Sequence, residues 1–376
     1  MAVDSATHRN LMTPEVPLKA AICTHFGAPL SIEDITLAPP GDGEVRVTLK
    51  ACGICHSDIH FADGAWGGTL PVVLGHEGAG IVESVGSGVT ACRPGDRVAV
   101  GLMRYCGTCF HCRQDEPFLC QSPFPADSQP RLRRNDGSAV VQGLRTGAFA
   151  EAVVVDQSQV VPIPEDVPFE AAALATCGVL TGWGAVVRTA RLPPGQHTGV
   201  IGIGGVGINS VQAAAMRDPA SVVALDFDQA KLDLSYSFGA THTINARQDD
   251  AADTIRTITE GRGLDYVFVT VGKSAAVAQG LSLLRRGGTL VMVGMPENGD
   301  ILPFQTGDLA SNSQRILGSK MGCAHASKDI PEICRLYREG LFKLDELVSA
   351  RYPLAEINTA IAAVKTGQVL RNVITF

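Results

Sequence analysis

The sequence predicts an α/β chain built in two structural styles, and three observations carry that reading. From about Leu18 to Pro164, short Val-rich runs such as "EVRVTLKACG", "GAGIVESVGSGV" and "GDRVAVGL" are punctuated by Gly, Pro and Asp, the pattern of a compact domain of irregular strands. From about Val179, strand and helix signals alternate and the strands are continuously apolar, which indicates a parallel sheet covered on both faces. At the first strand–helix junction of this second part stands "VIGIGGVGI", a glycine-rich turn flanked by an apolar strand and a helical run.

The elements of the second part follow in order. "TGVIGIG" reads as a strand, "GVGINSVQAAAMR" as a helix and "SVVALDF" as the next strand. A helix around Lys231–Phe238, the short strand "HTIN" and a helix near Asp253–Thr259 come next. Then "DYVFVTVG", a helix near Ala275–Arg286, "GTLVMVG" and "RILGS" close the alternation near Gly318. The last stretch, Cys323 to Phe376, holds a helical segment around Lys328–Glu339 and a terminal strand "NVITF" that fits either part. The first seventeen residues lack the basic start and apolar run of a secretory signal and read as a loosely docked tail.

Composition narrows the function classes. The 376 residues suffice for two domains of ordinary size, with 45% apolar and only 18% charged side chains. A formal net charge of −7 argues against nucleic acid or an anionic membrane as partner. The basic spot Arg131, Arg133 and Arg134 reads as a solvated loop. No apolar run approaches the roughly 18–20 residues that span a bilayer, so a cytoplasmic location is expected. In that reducing compartment, eleven cysteines point to metal binding or catalysis rather than disulfides.

The glycine turn carries the first specific chemistry. Gly202-x-Gly204-x-x-Gly207, with Gly205 between, fits the dinucleotide fingerprint, in which glycines permit the tight turn and close approach of backbone N–H groups to a pyrophosphate. Asp226 ends the next strand, nineteen residues after Gly207. A carboxylate there accepts hydrogen bonds from ribose hydroxyls and repels a 2′-phosphate, favouring NAD over NADP.

Cysteine and histidine supply the second. "CGICHSDIH" holds Cys55, His56, Ser57, Asp58 and His60, "GHEGAG" holds His76 and Glu77, and "ATCGVLTGW" holds Cys177. Each alone is as well read as a buried or surface residue, and Cys52-x-x-Cys55 could also be a redox pair, although it does not open the helix of a βαβ unit. Together, Cys55, His76 and Cys177 make the Cys₂His set of a catalytic zinc with an open fourth position, and Asp58 is placed to hold the second nitrogen of His76. By contrast, Cys106, Cys109, Cys112 and Cys120 have the spacing C-x₂-C-x₂-C-x₇-C, and four thiolates close a structural zinc site. His111 lies inside that cluster as a bystander. Cys23, Cys52, Cys92, Cys323 and Cys334 are left as packing residues.

The motifs "ACGICHSDIH", "LGHEGAGIVESVGSGVT", "PGDRV", the four-cysteine cluster, "CGVLTGWGAVV", "GIGGVGINSVQ" and "LRNVITF" occur in one order, and with them the chain resembles the zinc-dependent medium-chain alcohol dehydrogenases from about Leu18 to Phe376. The resemblance implies a β-rich, chaperonin-10-like catalytic domain over residues 1–178 and 322–376, with a structural zinc lobe at about 104–122. A Rossmann NAD-binding domain, a doubly wound parallel sheet, would occupy residues 179–321. Carried over by position, Cys55, His76 and Cys177 are the catalytic zinc ligands, Glu77 lies behind the metal, and Ser57 and His60 form a proton relay. Asp226 and Lys231 contact the adenosine ribose, Thr181 lies beside the nicotinamide, and Val206, Val271 and Val293 line the cofactor site. Arg371 and His56 take two pyrophosphate positions.

The implied chemistry is a reversible hydride exchange between a primary or secondary alcohol and NAD, giving an aldehyde or ketone. It implies two Zn²⁺ per chain and a homodimer joined through the Rossmann sheets, with a tetramer also possible. Leu102, where several relatives carry an aromatic residue, widens the expected pocket towards bulky or aromatic alcohols. Trp66 stands where glutathione-dependent formaldehyde dehydrogenases carry an acidic residue, which weakens a thiol-adduct substrate. The segment "SPFPADSQPRLRRNDGSAVVQGLRTGAFAE" borders the substrate channel in relatives, and its charged middle is a candidate anion site. Other readings are a biosynthetic carbonyl or iminium reductase, a dismutase that retains its nicotinamide, and a non-catalytic zinc-ribbon module.

Overall fold

The structure, a computed structural model, describes residues 15–376. The tail expected over the first seventeen residues lies outside this range as far as residue 14, while Val16 and Pro17 already belong to a strand, Val16–Cys23. That strand enters a closed barrel with Ser31–Leu37, Leu132–Arg134, Ala139–Gln142 and Val72–Val73. A second sheet runs in the order Val160–Pro162, Arg97–Gly101, Glu77–Val85, Glu44–Gly53, Arg371–Thr375, Val348–Pro353, and Ala152–Asp156 also pairs with Glu44–Gly53.

The terminal strand therefore belongs to the β-rich part. Val373 and Ile374 are fully buried, and Arg371–Thr375 pairs antiparallel with Glu44–Gly53 from the other end of the chain. A helix, Ile357–Lys365, and the strand Val348–Pro353 also fill this last stretch. The helix carries apolar residues at Ile357, Ala360, Ile361 and Val364, a helical spacing, whereas the strand is short and alternates half-buried with exposed residues.

The third sheet is all parallel, in the order His242–Asn245, Ser221–Asp226, His197–Ile201, Leu264–Val269, Leu284–Met292, Arg315–Gly318. Numbered along the chain this is 3-2-1-4-5-6, the Rossmann order, with its crevice outside the carboxyl ends of the strands. One helix boundary differs from expectation. The helix expected to reach Arg286 runs over Ser274–Ser282, and Leu284 already opens the following strand. Arg285, Arg286 and two glycines have no helical amphipathic partner there, and the strand claims them.

One apolar cluster joins the two parts, beside two others confined to the β-rich part and to the parallel-sheet part. The joining cluster runs from Ala51 and Ala99 through the helices Phe169–Leu174 and Gly178–Gly184 to Val200, Ile208 and Phe268. The crossing from one part to the other is thus a packed helical joint, and Cys177 sits inside it.

The segment from residue 122 to 147 is a further correction. Its charged middle is a hairpin with a solvent-exposed tip rather than a loop, and two of its arginines are already paired with carboxylates. Leu132–Arg134 and Ala139–Gln142 form a barrel hairpin, Arg131 is ion-paired with Glu44 at 2.8 Å and Arg134 with Glu33 at 2.8 Å. Arg133 donates to the carbonyl of Gly137 at 3.1 Å. Among the described residues no helix is long and apolar enough to cross a membrane.

Candidate active site

The site begins where the strand Glu44–Gly53 hands over to the helix His56–Ala62. Cys55 sits at the helix N-cap, and Asp58 folds back so that its Oδ2 accepts the Cys55 N–H at 3.1 Å. The other oxygen of Asp58 accepts the N–H of Gly75 at 2.9 Å and faces His76 Nδ1 at 2.9 Å. One buried carboxylate thereby fixes the helix start, the approaching loop and the ring of His76. The ring's Nε2 is left facing Cys177 Sγ at 3.3 Å. The ligand atoms of Cys55, His76, Glu77 and Cys177 all lie within 4.8 Å of one another, and all four residues are buried.

Their charges are strongly coupled. Burial opposes a charged imidazole, but the Asp58 carboxylate and Cys55 overcome it and raise the His76 pKa to about 10. The Cys55 thiol is held well below its ordinary value, first by the hydrogen bond from Cys177 and then, against burial, by His76. Cys177 is pushed well above its ordinary value by that same bond and by burial. A thiolate, a thiol and a carboxylate-backed imidazole packed this closely could hold a cation, and His76 and Cys177 would give up their protons to any cation they bind. Two sulfurs and a nitrogen suit zinc, and three such ligands leave one position of a tetrahedron open. Cys52 takes no part: it is fully buried, its thiol lies 3.5 Å from the Gly53 carbonyl, and burial raises its pKa. The redox-pair reading of Cys52 and Cys55 finds no support in this arrangement.

The four-cysteine lobe is built differently. Cys106 and Cys112 are 4.0 Å apart and Cys109 and Cys120 3.9 Å apart, and all four ligand atoms cluster within 4.8 Å. Ser122 Oγ donates to Cys106 Sγ at 3.0 Å and Cys109 N–H at 3.2 Å. The Ser122 bond, followed by the hydroxyl and N–H of Thr108, lowers the Cys106 pKa to about 5. Such convergent donors favour thiolate, and four sulfurs fit a closed zinc site. His111 faces Glu116 at 3.2 Å and is outside the group. Of the cysteines expected to pack, Cys23, Cys52 and Cys334 are buried, but Cys92 and Cys323 are only half-buried.

The glycine turn has the shape a dinucleotide needs. Gly202 has φ +90, a conformation that glycine alone adopts without strain. A Cβ on Gly207 would lie 1.8 Å from the Gly202 carbonyl oxygen, whereas one on Gly204 would meet nothing within 4 Å. The turn is thus closed on its inner side and open on its outer side, where a pyrophosphate would approach. Asp226 does more than expected. Its Oδ2 accepts the Ile203 N–H of the turn at 2.6 Å, and its Oδ1 accepts the N–H groups of Phe227 and Asp228 at 2.7 and 3.0 Å. A carboxylate has about four acceptor sites, so room remains for a ribose hydroxyl.

Around this turn, Val206 and Lys231 are half-buried, Val293 is buried and Val271 is exposed. Thr181 is buried in the helix Gly178–Gly184, with its hydroxyl 3.8 Å from Met321 Sδ. His56 is exposed at the start of its helix, and Ser57 and His60 are half-buried on the same helix.

Comparison with known proteins decides the family. The description "Alcohol dehydrogenase GroES-like domain" matches residues 41–165, and "Zinc-binding dehydrogenase" matches residues 205–339. A protein of Amycolatopsis methanolica described as an NDMA-dependent alcohol dehydrogenase is 35% identical over 365 residues, covering 95% of this chain and 98% of that one. The chain belongs to the zinc-dependent medium-chain alcohol dehydrogenases. Two solved structures agree in fold. An alcohol dehydrogenase zinc-binding domain protein from Burkholderia ambifaria has a TM-score of 0.92 at 32% identity, covering 96% of this chain and 100% of that one. Benzyl alcohol dehydrogenase from Acinetobacter calcoaceticus has a TM-score of 0.90 at 31% identity, covering 96% and 99%.

In this alcohol dehydrogenase, Arg371 is the residue whose surroundings the sequence least foreshadowed. It is buried, its guanidinium is paired with Glu77, and its chain is pressed so tightly on the turn that a Cβ on Gly205 would lie 2.4 Å from its Cδ. Among the described residues, Arg371 Nε and Glu77 Oε1 have no hydrogen-bond partner. Glu77 thus joins the cysteine–histidine cluster to the underside of the nucleotide turn. No spacing rule brings residues 77 and 371 together; only the antiparallel pairing of the terminal strand does.

Proposed function

We propose that this chain is an NAD-dependent zinc alcohol dehydrogenase that exchanges a hydride, reversibly, between a primary or secondary alcohol and the nicotinamide. The observation that carries this reading is the buried convergence of Cys55, His76 and Cys177, with Asp58 bracing His76. These three residues would hold the catalytic zinc, and Cys106, Cys109, Cys112 and Cys120 a structural one, giving two per chain. When bound, the zinc would act as a Lewis acid on the substrate oxygen and the nicotinamide as hydride carrier.

The chain's own residues do the rest. Ser57, two positions after Cys55, takes the hydroxyl proton of the alcohol, and His60, one helical turn further on, receives it towards solvent. Thr181 and Val293 support the nicotinamide side. Val206 and the turn Gly202 to Gly207 hold the pyrophosphate with His56 and Arg371, while Val271, Asp226 and Lys231 take the adenosine end. The carboxylate of Asp226 supports NAD over NADP. Units of 1–178 with 322–376, and 179–321, a homodimer and a cytoplasmic location complete the reading.

For substrate, Leu102 leaves room for a bulky or aromatic alcohol, and the similarity to a benzyl alcohol dehydrogenase supports that class. A second reading, retention of the nicotinamide between turnovers, is favoured by the similarity to a dehydrogenase described as NDMA-dependent. The test is a panel of aliphatic, benzylic and thiol-adduct alcohols followed at the NADH absorbance band, with metal analysis and assay of nicotinamide released on denaturation. Turnover of benzylic alcohols with two zinc ions per chain is expected. No turnover of any alcohol with NAD, added or retained, by protein holding both metals would overturn the proposal.

A further inference from the structure

His60, the outer residue of the relay, does not stand alone. After the helix His56–Ala62 the chain turns back on itself, with Ala65 N–H donating to the His60 carbonyl at 2.9 Å and Gly67 N–H to that of Gly64 at 3.1 Å. Gly68 has φ +138, and a Cβ there would lie 2.4 Å from Phe61 Cζ, so only glycine lets the loop fold this tightly onto the helix. The fold-back returns Trp66 to the helix. Its indole lies against the His60 ring, with centroids 5.5 Å apart and planes tilted by 34°.

The other edge of the same indole reaches the nucleotide-binding sheet. Trp66 Nε1–H donates to the Pro296 carbonyl at 3.3 Å, across 230 residues of sequence. Pro296 follows a segment pressed on the end of the strand Leu264–Val269: a Cβ on Gly294 would lie 2.4 Å from the Val271 carbonyl carbon, and one on Gly272 2.1 Å from the Met295 oxygen. Residues 293–296 are thus packed directly on residues 271–272, and Val293, at the start of this segment, is the residue proposed above for the nicotinamide side. One half-buried side chain touches the relay histidine with its ring and the cofactor wall with its N–H.

We propose that Trp66 is a positioning residue that fastens the cofactor wall at Pro296 to the β-rich part and sets the His60 ring in the same closed arrangement. The two contacts use different properties of the indole, so they can be separated. The N–H serves closure over the nicotinamide, and the aromatic face serves the orientation of His60. This inference rests on the nicotinamide and relay reading given above.

The variants are Trp66→Phe, which keeps an aromatic face and loses the donor, and Trp66→Leu, which loses both. The first readout is NADH binding, followed by nicotinamide emission and by the wild-type-minus-Trp66→Phe difference in tryptophan emission. Trp66 should be quenched as NADH binds. Trp66→Phe should raise the NADH dissociation constant about three- to tenfold, the range of a single hydrogen bond. Trp66→Leu should show the same weakening and also a fall in kcat that added imidazole, a small diffusible base, partly restores. If both variants bind NADH and turn over as the wild type does, the inference is wrong. A kcat loss in Trp66→Leu that no added base relieves would also overturn the His60 contact. A wild type that neither carries nor binds NADH would instead remove the nicotinamide reading, and this inference with it.

Discussion

The chain holds two groups of converging cysteines, and they are built on opposite plans. Cys106, Cys109, Cys112 and Cys120 come from fifteen consecutive residues, three of them half-buried, and are wrapped by N–H and O–H donors of their own loop. Cys55, His76 and Cys177 come from three separate segments, are fully enclosed, and depend on a carboxylate, Asp58, that belongs to the helix after the first of them. The local group offers four like ligands, enough to saturate a tetrahedral metal. The dispersed group mixes sulfur and nitrogen, stops at three, and is backed by Glu77 and Arg371 beneath the nucleotide turn. A site closed by its own loop can brace a fold, whereas a site assembled from several elements can keep a position open and aim it at a cleft.

That contrast can be broken in four ways. The largest effect belongs to Cys55→Ala, which should abolish turnover and remove one metal per chain while the fold persists; near-normal activity at that metal content would refute the assignment. Cys106→Ala should do the reverse, destabilising the protein in thermal unfolding while the folded fraction turns over normally. A variant as stable as the wild type would show that the lobe is not a brace.

Asp58→Asn addresses the support of the dispersed site, which the lobe lacks. Loss of such a carboxylate behind a ligating histidine weakens metal affinity about 10–100-fold, so a chelator should strip the dispersed site first and leave the lobe loaded. Equal loss from both sites would count against the comparison. The smallest effect is expected from Ser122→Ala. It removes one hydrogen bond to Cys106, worth about 0.5–1.5 kcal/mol, and in a chain of this size should lower the melting temperature by only about 2 °C with unchanged kcat.

Much of this was legible in the residues. The parallel sheet announced itself through continuously apolar strands such as Ser221–Asp226, whose residues up to Leu225 are buried. The turn from Gly202 to Gly207 carries its backbone demands in its composition. Other parts were hidden. The hairpin that takes in Arg134 looked like a charged loop, because the glutamates that neutralise its arginines, Glu33 and Glu44, lie about a hundred residues away in the chain. Helix and strand met at residues 283–284 without a breaker, so the boundary was set by pairing with the strand Leu264–Val269.

The sequence by itself determined which chemistry is present: the ligand types, their spacing in the lobe, the glycines of the turn and the acid that follows it. These depend on covalent geometry and local backbone sterics, which act within a few residues. The pairing of Asp58 with His76 was already legible in the sequence and is borne out, whereas only the tertiary structure decided that Arg371 runs under Gly205 to Glu77 and that Trp66 spans from His60 to Pro296. Such contacts join segments far apart in the chain. They form only because burying Val373 and Ile374 in the β-rich sheet, and the Gly178–Gly184 helix between both parts, holds those segments together.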